Sequence, residues 1–186
     1  MQNEELIRLA VENGATKAQV IEQSQIVLSP VFREICAGNG CGNYGKCWMC
    51  PPDVGEIEPM MEAVRRYPHA LLYQTISQIE DSFDIEGMSE SGYTHAAISQ
   101  KIQKALLPVL GEKNMLHLTC GGCRLCRVCA KRDNEPCRHP EAALTSLECC
   151  GIDVYNTTKS TELKYINGQN TVTFFGMVLF GCERDA

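Results

Sequence analysis

No run of about 18 apolar residues occurs in the 186-residue chain, so no segment reads as a membrane-spanning helix. The opening residues Met1-Gln2-Asn3-Glu4-Glu5 are acidic and lead into an amphipathic pattern, whereas a secretory leader needs a basic start and an apolar core. The expected location is therefore the cytoplasm, with no membrane as partner. Positive charge is also scarce. The 17 Lys and Arg stand against 23 Asp and Glu, and the resulting net charge of −6 argues against a general nucleic-acid binder. No G-x-S-x-G or H-E-x-x-H is found, and neither a hydrolase mechanism nor dependence on NAD or ATP is expected.

What the chain has in excess is cysteine, with 12 in all. Such a count arises in an oxidising compartment with disulfides or in a reducing one with metals. Without a leader the second context is expected. The hydrophobic fraction of 44% and charged fraction of 22% are ordinary for a globular domain, so the cysteines are not needed to compensate for a missing core.

Eight cysteines form two blocks. The first is Cys36, Cys41, Cys47 and Cys50, ending in Pro51-Pro52; the second is Cys123, Cys126, Cys129 and Cys137. The run C-x2-C-x2-C in the second block matches the first three ligands of bacterial [4Fe–4S] sequences, where two-residue spacers let successive sulfurs curl around one centre. Structural zinc sites instead bring C-x2-C pairs together, and zinc on the same thiols is the alternative. Two pairings are open. In the local one each block holds its own cluster; in the crossed one Cys50 completes the second block and Cys137 the first. The departure of the spacers from the ferredoxin pattern favours the local pairing.

The remaining thiols read differently. Cys120 can stand in for Cys137, being three residues from Cys123, whereas Cys149, Cys150 and Cys182 read as buried free thiols. Tyr44 and Trp48 lie inside the first block and are expected to cover the site and keep water away. Arg124, Arg127, Lys131, Arg132 and Arg138 fall in or beside the second block, where cations offset the charge of a thiolate-ligated cluster. The four histidines are scattered and read as structural, His139 being the best placed as a ligand.

The rest of the chain reads as one domain over 1–186, with cysteine loops at 36–55 and 120–140. Helices are expected at 3–13, 58–67, 93–110 and 141–149, and strands at 17–22, 69–76, 115–119 and 171–180, with a further extended piece at 26–28. Acidic, Ser and Gly residues over 79–92 suggest an exposed loop. Pro108 should kink or end the long helix early. This pattern gives an α+β or α/β fold with a sheet of about four strands, a ferredoxin-like core being one form it can take.

Three stretches together carry a resemblance: Cys36-x4-Cys41-Gly-Asn-Tyr-Gly-Lys-x-Trp-x-Cys50-Pro-Pro, then Gly-x-Cys123-x2-Cys126-x2-Cys129-x7-Cys137-Arg-x-Pro, then Ser146-Leu-Glu148-x2-Gly151-Ile-Asp153-Val. They resemble a family of predicted metal-binding proteins, catalogued as a domain of unknown function and common in anaerobic bacteria and archaea. The resemblance implies metal binding of an iron–sulfur kind and implies no particular reaction. Cys47, Cys120, Cys149, Cys150 and Cys182 fall outside the pattern that carries it. If Cys47 is not a ligand, the first site has three thiolates and an open iron, which favours catalysis.

The reading that follows is a protein with one or two [4Fe–4S] clusters, serving electron transfer or a redox accessory role with a redox partner protein. Its expected cluster ligands are the eight block cysteines, with Tyr44, Trp48, Arg124 and Arg127 around them. One alternative is an iron–sulfur enzyme with substrate at an incompletely ligated iron. The other is a zinc-stabilised interaction module.

Overall fold

A computed structural model describes residues 2–181 of the protein. The elements follow in the order α1 (Gln2–Glu12), β1 (Lys17–Glu22), α2 (Val31–Ala37), α3 (Ile57–Arg65), β2 (His69–Gln78), α4 (Ile85–Leu110), β3 (Met115–Thr119), β4 (Thr145–Ser146), α5 (Val154–Thr158) and β5 (Thr171–Phe180). The strands form one five-stranded sheet in the order β1-β2-β5-β3-β4. All neighbours are antiparallel except β3 and β4, which are parallel. The class is α+β, with one strand more than expected. A ferredoxin-like core joins its second and third strands directly. Here α4 lies between β2 and β3.

Strand alternation divides the core into two layers. On β2, Leu71 and Tyr73 point to one face with Val178 and Phe180 of β5, and Leu6, Ala10, Ile102 and Leu106 of α1 and α4 cover them. Ala70 and Leu72 point to the other face with Met177 and Leu179. That face is covered by Val64 of α3 and by Leu147, Ile152, Val154 and Leu163 from the stretch after the second cysteine block. At roughly 1.5–3 kcal/mol for each large apolar side chain fully buried, both layers are substantial.

Three stretches differ from the sequence reading. The supposed acidic loop supplies the first two turns of α4, because the Asp84 side chain caps the helix by accepting from the Gly87 N–H at 2.8 Å. Pro108 does not end α4 early; in the last turn it costs one backbone bond, and the helix runs on to Leu110 before Gly111 at φ 79° ends it. The stretch 141–149 is not a helix. Thr145 and Ser146 pair in parallel with Leu118 and Thr119 of β3, and a 3-10 turn follows over Glu148–Cys150. In addition, the residues leading into the first block form the short helix α2, which carries Cys36.

Candidate metal centre

The sheet and the extended stretch 26–30 decide which cysteines meet. The Leu147 N–H donates to the Thr119 carbonyl at 2.9 Å, which fixes the 145–150 stretch beside the start of the second cysteine loop. Leu28 pairs with Ile152, Ser29 N–H donates to Gly151 O at 2.7 Å, and Asp153 N–H donates to Val27 O at 2.8 Å. This pairing lays α2 against the 148–150 turn. There the Arg33 guanidinium donates to Cys149 O at 3.3 Å.

The first cysteine loop is fastened to the second. Trp48 Nε1–H donates to Glu135 O at 2.9 Å, and Lys131 Nζ sits 4.2 Å from the centre of the Trp48 ring. The same ammonium lies 2.5 Å from Asp53 Oδ1, with both side chains largely buried. Thr145 Oγ1 donates to Met49 O at 2.9 Å. A Cβ on Gly122 would lie 2.7 Å from Asn43 Nδ2, so the two loops are in direct contact there.

Two groups of thiols result. Cys47 of the first block joins Cys123, Cys126, Cys129 and Cys137 around a cavity of about 20 Å³, which Trp48 and His139 also line. In the second group Cys50 shares hydrogen bonds with Cys149 and Cys47, and Cys36 with Cys149, with Cys41 close to Cys36. Cys47 touches Cys50 on one side and Cys129 on the other, so the groups are continuous. The protons shared along this chain hold Cys47 and Cys149 below the ordinary thiol range, chiefly through the bond each makes with Cys50, while Cys50 is pushed up. Cys36 is raised to about 11, first by burial. Low thiol values favour the thiolate, the form that binds metal.

Cys149 is a participant that sequence reasoning missed, because the stretch 141–149 reads as a helix and its cysteine as a buried free thiol. Its clue lay in the Ser146-Leu-Glu148-x2-Gly151 stretch just around it. Cys150 behaves as expected of a core thiol, with its value pushed up to about 12 by burial. Cys120 is likewise pushed up to about 12, first by burial. Cys182 lies outside the described residues.

Cations lie close to the thiols of the second block. Arg138 donates to the Cys126 sulfur, which raises the guanidinium further, and to Val128 O at 3.1 Å. Lys46, Arg124, Arg127 and Arg132 line a crevice of about 410 Å³ whose wall includes Cys47, Cys123, Cys126 and Cys129. Tyr44 is half-buried, and its backbone N–H donates to Asn39 Oδ1 at 3.1 Å, which shapes the loop. The glycines Gly40, Gly42 and Gly45 have the spacing G-x-G-x-x-G, but they follow α2 and lead into no helix before Ile57. They therefore lack the strand–turn–helix setting of a dinucleotide loop.

Among the described residues no three Cys, His, Asp or Glu side chains form a ready-made cage for a single ion. The donor chemistry nevertheless fits a metal. Five thiols and one imidazole line the small cavity, and all-sulfur sets select zinc, copper(I) or iron–sulfur centres. No helix among the described residues is long and apolar enough to cross a membrane. No curated protein and no solved structure matches the chain. One family model does match it, over residues 19–180, and that span takes in both cysteine loops and all five strands but the first two residues of β1. The chain belongs to the predicted metal-binding protein family DUF2284.

Proposed function

We propose that this is an iron–sulfur protein that carries one or two [4Fe–4S] clusters and serves electron transfer or a redox accessory role. The observation that carries this reading is the meeting of C-x2-C-x2-C with Cys47 and Cys137 around one cavity, adjoining a second thiol group of Cys36, Cys41, Cys50 and Cys149. Three thiolates at two-residue spacing are the ligand run of bacterial clusters. A bound cluster would supply one-electron chemistry. The protein's own part is to hold thiolates, offset their charge with Arg138 and the crevice cations, and cover the site with Trp48. Lys46, Arg127 and Arg132 also give a chain of net charge −6 a local positive face, suited to an acidic redox partner.

One observation favours zinc instead: a cavity of about 20 Å³ is sized for a single ion rather than a multi-iron core. Anaerobic purification followed by iron, acid-labile sulfide and zinc quantification decides between them. Iron and sulfide in equal amounts, with a reducible visible band and an EPR signal, are expected. A colourless protein with stoichiometric zinc overturns the iron–sulfur reading.

A further inference from the structure

A further cavity, of about 730 Å³, lies beside the small one inside the cysteines. It runs between α4 and two segments of the second cysteine region, and it ends against Cys123 and Arg124. Its size falls within the ~300–1,000 Å³ range of small-molecule sites. The walls are mostly apolar, with Ala96, Ala97 and Leu107 on the helix facing Leu125, Ala142 and Leu144. The Gln100 amide donates to Ala142 O at 2.8 Å and ties the two walls together.

The charged groups around this cavity are unequal in sign. Lys101, Lys104 and Arg124 line it against the single carboxylate of Glu141. Arg124 is fixed in place, with one nitrogen donating to Ser89 O at 3.1 Å and its guanidinium 4.8 Å over the Tyr93 ring. At the floor lie the hydroxyls of Ser99 and Thr119, 3.0 Å apart.

We propose that this cavity binds a small amphipathic organic anion, its apolar body between α4 and the 139–144 segment and its acidic head toward Lys101, Lys104 and Arg124. An occupant there lies against Cys123. Any chemistry performed on it rests on the redox-active centre proposed above; its binding does not.

Calorimetric titration of the purified, metal-containing protein with octanoate, octylamine and octanol tests the proposal. Octanoate is expected to bind saturably at one site, and octylamine about tenfold more weakly or not at all, because only the anion meets the cationic rim. Ala97→Trp, at a solvent-facing helix position, fills the cavity and should weaken octanoate binding about tenfold or more while leaving thermal unfolding unchanged. The double variant Lys101→Glu with Lys104→Glu should weaken octanoate but spare octanol. Absence of saturable octanoate binding, equal binding of octylamine, or unchanged binding by Ala97→Trp overturns the proposal. A zinc-containing protein that binds octanoate upholds the cavity and overturns only the iron–sulfur reading.

Discussion

His117 ends a hydrogen-bonded chain in which every hydrogen can be assigned. Ser99 donates its one hydrogen to the His95 carbonyl at 3.0 Å, so it must accept from Tyr73 at 2.8 Å and from Thr119 at 3.0 Å. With the Tyr73 hydrogen engaged, the 2.8 Å contact to His117 is a donation from His117 Nε2–H. Nδ1 is then a buried lone pair with no partner. Burial drives His117 down to about 3 and His95 down to about 4, so both are neutral in the folded protein. In the unfolded chain both protonate near the ordinary histidine value of about 6.5. At these two sites the unfolded state therefore binds more protons below that pH, and their contribution to stability falls as pH drops from about 6.5 toward 3 and is level above. At about pH 5.5 each imidazole contributes a loss of about 1.4 kcal/mol, one pKa unit's worth. Urea midpoints at about pH 7.5 and 5.5 should show this, and His117→Gln should lose about half of the dependence while keeping whatever the metal contributes. Equal midpoints at the two pH values for the native sequence would refute neutral burial.

The central element is β5, which pairs with β2 along all ten of its residues and with β3 on its other side. Gly176 stands directly opposite Tyr73, and a Cβ there would lie 2.2 Å from the Tyr73 ring. Gly176→Ala should therefore displace Tyr73, loosen the Ser99 and His117 contacts, and destabilise by roughly 1–3 kcal/mol. Combined with Tyr73→Leu, the pair should be less destabilised than the sum of the single changes. A strictly additive pair in denaturant titrations would show that the clash is not the cause. Elements of this kind were legible in the sequence: β1, β3 and β5 have the expected bounds because short apolar and β-branched runs between turn signals are a local cue. The start of α4 was not legible, because acidic, Ser and Gly residues argue for a loop and only the Asp84 cap reverses that. Nor was β4, since Thr145 and Ser146 become a strand solely by pairing with β3. The same non-local pairing conceals the grouping of the thiols. Spacing identifies Cys123, Cys126 and Cys129 as a set, but it cannot show that Cys47 joins them or that Cys149 joins Cys36 and Cys50.

At the scale of the whole molecule the sheet and the cysteine region are built on different energies. Among the described residues the two core layers flanking the sheet contain one cysteine, Cys150, and none of the eight block cysteines. The cysteine loops are held instead by glycine-rich turns, the Trp48–Glu135 bond, the Lys131–Asp53 pair and shared thiol protons. Removing the metal with a chelator should thus separate the two parts. Without a cation, Cys47 and Cys149, the thiols held below the ordinary range, lose their counter-charge, and few side-chain contacts join the loops. Amide exchange should rise over 36–56 and 120–144 while β2 and β5 stay protected, and the far-ultraviolet circular dichroism should change little. Trp48 is the chain's single tryptophan and sits at the joint between the loops, so its emission should shift to the red as that joint opens. The contrary result is a single cooperative loss of all structure on chelation. It would mean that metal binding contributes the folding energy itself, as in zinc fingers, and that the apolar layers on the two faces of the sheet cannot sustain it alone.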